Sequence, residues 1–432
     1  MINYLKKSVT ALSLVAGTLA ASGILSPTWV NAEEGGDPFI PDKPLFEEDN
    51  WYRDLRVGHW LSGGSTIEQI ERILRRINRS AGDRRVDEWA DTQLDYGPGN
   101  WVYEWSEAAR KQEAMGHRAA KAGRLDEARE RYLDAANLYG IAKYPHLNSA
   151  EDDAAYKAQL RAYEAAGKYF DKPLEKLEIL VDGTAISGYL HMPAGSGEDS
   201  PVPVVLISGG IDVFKAEFHL LADELNKRGV AAFTHDMKST GESTYQLLES
   251  DYYRYHLAYA EALTARPDID GDHIAVYGQS FGGNPVARLA VDHDDIFSAA
   301  IVACAPINLP FVIFEPEQLP FALAPMTLDI LEARLRTEEC DSSPEGQQAC
   351  ATILDQLQTF ALGAELQAGT IDIPLLIPAP IDDPFMPEPD IDLLYSAARA
   401  TVDRLPTGSG IHCTRERNTY WPQIAQWIAD NI

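Results

Sequence analysis

Basic side chains are scarce in this chain: 37 lysines and arginines stand against 66 aspartates and glutamates, a formal net charge of −29 at pH 7. So acidic a surface repels phosphate backbones and anionic lipid, which excludes nucleic acid as a partner. Cysteine is rarer still, with Cys304, Cys340, Cys350 and Cys413 making up the total of four. None stands at Cys-x-x-Cys spacing, so neither a zinc site nor a dithiol redox site is expected and no metal is assigned. Beyond residue 32 no run is long and apolar enough to span a bilayer, so no integral membrane span is expected there.

The one long apolar stretch opens the sequence. "MINYLKKSVTALSLVAGTLAASGILSPTWVNA" places Lys6 and Lys7 before an uncharged segment at 9–25 and ends in Val30-Asn31-Ala32, a small-residue cleavage pattern. Residues 1–32 therefore read as a secretory signal cut after Ala32, and the mature chain is expected to be secreted or periplasmic. An uncleaved anchor is the alternative, although the stretch is near the lower limit for a spanning helix. Export permits disulfides, and four cysteines allow three pairings. Cys340 and Cys350 flank a short polar loop at 341–349 and are the expected pair, with four reduced thiols as the alternative.

With 45% hydrophobic residues over 432 positions, the chain can bury a large core and hold more than one domain. An acidic, proline-containing linker at 33–50 precedes a helical region at 51–175. Within it, "STIEQIERILRRI" suggests a capping box from Ser65 to Glu68, and Ile67, Ile70, Ile73, Leu74 and Ile77 fall on one helical face. Two more helices are expected to join at Ala122-Gly123-Arg124; their spacing is that of a tetratricopeptide hairpin, but no second copy follows. A helical cap is the better reading of a lone hairpin.

At Lys176 the periodicity changes. "KLEILVDGTAISGYLHMP" reads as a hairpin turning at Asp182-Gly183, and short apolar runs follow at 202–208, 229–236, 273–278, 298–306 and 373–380. Helical stretches separate nearly all of them. Apolar strands alternating with helices imply the α/β class, a mainly parallel sheet with helices on both faces, here at 176–432. The long excursion at 308–370 is expected to form a lid.

Within "IAVYGQSFGGNPVARLA" a strand ends at glycine, presents Ser280 and restarts as a helix from Asn284. Gly-x-Ser-x-Gly alone arises by chance in about one chain in seven of this length, so the context carries the weight. A nucleophilic serine needs a base, an acid to orient the base, and amides for the oxyanion; on a strand-to-helix turn the chain order is serine, acid, histidine. Only His293 and His412 follow Ser280, and no strand lies between Ser280 and His293 to supply an acid. That leaves His412, on a glycine-rich loop before a terminal amphipathic helix. "IPLLIPAPIDDP" offers the acid, with Asp383, directly before the proline, preferred to Asp382. The Phe281 amide follows the nucleophile; the second donor is expected in "GGID" after the first parallel strand, from Gly210 or Ile211.

"SGGIDVFKAEF", "HDMKSTGES", "GQSFGGNPVARLA", "LLIPAPIDDPFMP" and "GIHC" followed by "WIADNI", with a helical region ahead of them, resemble the FrsA-like (fermentation/respiration switch) esterases over about residues 50–432. That group belongs to the α/β-hydrolases and is related to 2,6-dihydroxypseudooxynicotine hydrolase. The resemblance implies an α/β-hydrolase fold under a helical cap, a homodimer through that cap, and Ser280 as nucleophile with Asp383 and His412 as acid and base. Lys215 and Glu217 match charged positions of its "GGxDxxKxE" element and are expected to form an ion pair supporting the oxyanion loop.

The expected activity is that of an exported serine hydrolase of the carboxylesterase type, needing no cofactor and acting on a small to medium, partly apolar or aromatic ester. Trp101, Tyr103 and Trp105 in the cap and "FVIFEPEQLPFALAPM" suggest that apolar character, with ordinary core packing as the alternative. Cleavage of a carbon–carbon or amide bond by the same triad, and a non-catalytic binding protein on the same fold, remain the other readings.

Overall fold

The structure is a computed structural model that describes residues 45–46, 48–243, 246–409, 412–413 and 416–432. The expected signal segment and most of the acidic linker lie outside the described residues. No described helix is long and apolar enough to cross a membrane.

Helices α1 (Val57–Ser62), α2 (Ile67–Asn78), α3 (Trp101–Lys121), α4 (Leu125–Lys143) and α5 (Ala150–Gly167) precede the sheet. Helix α2 buries Ile70, Ile73, Leu74 and Ile77 completely, but Ile67, in its first turn, stays 38% exposed. Its capping box sits one residue later than expected: Thr66, not Ser65, receives the Gln69 amide, and the Gln69 side chain receives the amide of Thr66. Ser65 is engaged elsewhere, its hydroxyl accepting from Asn137 Nδ2. Helices α3 and α4 meet at the expected Ala122-Gly123-Arg124 turn, where Gly123 takes a φ of 73°. Trp51, Trp60, Trp101 and Trp105 interlock with ring centroids 5.3–6.3 Å apart. Trp101 and Trp105 thus belong to the helical core rather than to a substrate pocket, and Tyr103 lies edge-on against Tyr96.

The sheet among the described residues has eight strands: β1 (Glu175–Val181), β2 (Thr184–His191), β3 (Val202–Ser208), β4 (Ala231–His235), β5 (Ile269–Gln279), β6 (Ala299–Ala303), β7 (Leu375–Ile381) and β8 (Val402–Ser409), in the order β1-β2-β4-β3-β5-β6-β7-β8. β1 and β2 form the expected hairpin, with positive φ at both Asp182 and Gly183, and β2 runs antiparallel to β4. All later pairings are parallel. Every residue of β4 and β6 is buried, as sheets covered on both faces require.

The connections supply α6 (His219–Asn226), α7 (Tyr253–Thr264) and α8 (Gly283–Asp292), then α9 (Leu309–Val312), α10 (Leu319–Ala322), α11 (Pro325–Leu335), α12 (Pro344–Gln358) and α13 (Gly363–Ala368) within the long excursion, and finally α14 (Glu388–Ala397) and α15 (Arg417–Asn431). Helices α6 and α15 cover one face of the sheet; α7, α8 and α14 cover the other. The excursion has its own core of Leu328, Leu331, Leu335, Ile353, Leu354 and Leu357, packed against Phe281 and Phe311. The expected Cys340–Cys350 disulfide closes the turn between α11 and α12. The other two cysteines, Cys304 and Cys413, are also joined.

Strand β8 is not legible in the sequence, where its residues read as part of a glycine-rich loop. "VDRLPTGS" is polar and contains Pro406, which a strand tolerates only at a sheet edge, where β8 lies beside β7.

Candidate active site

Ser280 stands where β5 gives way to α8, with a backbone φ of 56°, in the left-handed region that a non-glycine residue enters only under constraint. The turn is tight enough to demand glycine at 278: a β-carbon there would lie 2.1 Å from the Gly282 carbonyl oxygen. The same turn points the hydroxyl off the carboxyl end of the sheet, where Ser280 Oγ lies 2.8 Å from His412 Nε2.

His412 comes just after β8, and Asp383 just after β7. The imidazole Nδ1 lies 2.9 Å from Asp383 Oδ1 and 3.1 Å from Oδ2. The carboxylate is fixed on its far side too, accepting from the Phe385 amide at 2.9 Å and the Cys413 amide at 3.1 Å. Asp383 is 2% exposed. Asp382 takes a φ of 63° and makes the turn. Phe385 meets the imidazole edge-on, ring centroids 4.8 Å apart. His293 caps the end of α8 and packs near Tyr253, away from this group.

Across the turn, the chain at Gly210 comes so close that a β-carbon there would lie 2.7 Å from Ser280 Cβ and 3.2 Å from the Phe281 nitrogen. Gly210 and Phe281 therefore bring their backbones to the same side of Ser280. Ile211, next along, packs with Tyr144, Met326 and Ile330.

The helical region grips this loop through groups that the sequence did not single out. Lys143, wholly buried at the end of α4, donates to the Asp212 carbonyl at 3.1 Å and to Glu217 Oε1 at 2.6 Å. Arg56 donates to the Asp212 carboxylate at 2.5 Å. Burial alone would raise the Asp212 carboxyl, but the Arg56 guanidinium holds it below its ordinary range. The expected Lys215–Glu217 ion pair does not form. Lys215 is instead fully buried against Asp236, at 3.3 Å, and Glu242, while Glu217 pairs with Lys143. A three-residue 3-10 turn at Lys215–Glu217 sends the two side chains to different partners, which spacing along the chain does not reveal. Asp236 also accepts from Tyr156 of α5 at 2.7 Å, tying the helical region to the end of β4.

The profile of the family described as Esterase FrsA-like matches residues 46–432. The chain belongs to the FrsA-like esterase family. Among its relatives, Esterase FrsA of Vibrio cholerae serotype O1 is 36% identical over 349 residues, 80% of each chain. Esterase FrsA of Vibrio vulnificus is 34% identical over 348 residues, 79% of each. Among solved structures, the 2,6-dihydroxy-pseudo-oxynicotine hydrolase superposes with a TM-score of 0.70 at 21% identity, covering 87% of this chain and 95% of the other. That likeness speaks for the fold alone, and the fold of this FrsA-like esterase is that of the α/β-hydrolases.

Proposed function

We propose that this FrsA-like chain is an exported serine carboxylesterase in which Ser280, His412 and Asp383 form the catalytic triad. The observation that carries the reading is the unbroken chain of contacts from Ser280 Oγ through His412 to a buried Asp383. In this reading Ser280 Oγ attacks the ester carbonyl while His412 Nε2 takes its proton. Asp383 keeps the other ring nitrogen protonated and stabilises the imidazolium. The oxyanion is received by the Phe281 amide with that of Gly210 or Ile211. His412 returns the proton to the leaving alcohol, then activates water to cleave the acyl-enzyme. Phe385 beside the imidazole, and Ile211 beside Met326 and Ile330, favour an ester with an apolar or aromatic portion. Two disulfides suit an oxidising compartment and so support export.

Intact-mass measurement after incubation with a fluorophosphonate is the direct test. One adduct mapping to Ser280 and lost in Ser280→Ala is expected; a folded wild type that takes up no probe defeats the proposal. Turnover of p-nitrophenyl esters above aryl ketones and dipeptide amides is the matching substrate result, and preference for either of the latter two overturns the ester assignment.

A further inference from the structure

The base has a long way to come. Ser280 follows β5, whereas His412 follows β8, three strands away in the sheet. At ordinary strand spacing that is about 14 Å, yet His412 Nε2 lies 2.8 Å from Ser280 Oγ. Cys413, the residue after His412, is bonded to Cys304, which directly follows β6, the immediate neighbour of β5. The anchor is firm: Cys304 is 2% exposed and its amide donates to the Pro378 carbonyl of β7 at 2.9 Å. The Cys413 amide donates to Asp383 Oδ2, so the cystine also helps to orient the acid.

We infer that the Cys304–Cys413 disulfide is the positioning device for the base, holding His412 on Ser280, and that opening it slows attack by Ser280 while the fold persists. The inference rests on the reading of Ser280 as nucleophile. Reduction by a dithiol balances: its two sulfurs give up two electrons and two protons and become a disulfide, while the Cys304–Cys413 bond breaks to two thiols. The freed Cys413 thiol would then compete for the base, because its sulfur already lies 3.5 Å from His412 Nε2. The Cys340–Cys350 disulfide, closing a turn in the excursion, has neither contact.

The test compares fluorophosphonate labelling of Ser280 and ester turnover in the wild type, Cys304→Ala/Cys413→Ala and Cys340→Ala/Cys350→Ala, each with and without dithiothreitol. In Cys304→Ala/Cys413→Ala, labelling and kcat are expected to fall about 10- to 100-fold, with KM little changed and no further response to dithiothreitol. Cys340→Ala/Cys350→Ala should behave as the oxidised wild type and slow on reduction. Wild-type labelling speed in Cys304→Ala/Cys413→Ala overturns the inference. Should that variant not fold, the wild type is titrated with dithiothreitol and the open pair identified by peptide mass. Loss of labelling that follows Cys304–Cys413 supports the inference, and loss that follows only Cys340–Cys350 overturns it. An oxidised wild type that is never labelled defeats the Ser280 reading itself, a result distinct from equal labelling in both redox states.

Discussion

Ser280 carries its geometry in its own backbone, since a φ of 56° persists only while the surrounding turn enforces it. Gly210 presses on that serine from the neighbouring loop. Gly210→Ala would push a methyl group to 2.7 Å from Ser280 Cβ, so either the loop or the serine must move. A fall in kcat of about 10²- to 10³-fold is expected, the usual result of losing an oxyanion donor, with the circular dichroism spectrum unchanged. Ester turnover within a factor of about two of wild type would show that the Gly210 backbone is not needed for the chemistry. Asp383→Asn tests the acid. With its amide presented to His412 the imidazole favours the wrong tautomer, and kcat is expected to drop about 10⁴-fold, whereas Asp382→Asn should be near neutral. The reverse ranking would reassign the acid to Asp382.

Helix α4 presents a buried ammonium to the loop that follows β3. Lys143 is wholly inaccessible, and burial pushes its pKa down against the pull of Glu217. Lys143→Met would leave the Asp212 carbonyl without that donor and Glu217 without its lysine partner. Removing one partner of a buried pair costs about 3–5 kcal/mol, far more than the pair itself contributes. Urea denaturation should show a loss of that size, together with a lower kcat because the loop carrying Gly210 is held from this side. A variant as stable as the wild type would mean that Arg56, bonded to the Asp212 side chain, suffices alone.

Taken as a whole, the molecule hides several histidines. Burial pushes His146 and His191 down to about 3 and His219 and His235 down to about 4. In the unfolded chain each titrates near about 6.5. Between those values the unfolded state binds protons that the folded state does not, so stability present in full above pH about 6.5 is lost as the pH falls toward about 4. The net charge of −29 shrinks over the same range and eases self-repulsion, so the cleaner reading is a difference between two proteins. His191 stacks on Phe170 and meets Tyr163, and phenylalanine can replace it there. His191→Phe should therefore lose less melting temperature than wild type between pH 7 and pH 4.5 by calorimetry, with about one proton fewer taken up on unfolding. Parallel curves for the two proteins would contradict this.

The chain's local patterns were enough to specify its parallel strands β3 to β7, the Asp182-Gly183 hairpin, the sharp turn at Ser280 and the Cys340–Cys350 closure. Each depends on periodicity or on the φ preferences of a few adjacent residues, and such forces act within a few ångströms along the backbone. Packing settled the rest. Ser65 and Thr66 are interchangeable as caps until Asn137 engages the first; Asp382 and Asp383 differ only once the turn at 382 directs Asp383 to His412. Strand β8 needs β7 beside it, because its polar sequence has little strand preference of its own. Lys215 and Glu217, near neighbours on one short turn, choose partners 21 or more positions away, and Cys304 finds Cys413 at a separation of 109. Choices of this kind follow from which surfaces the sheet order brings together, and no short window of sequence encodes that order.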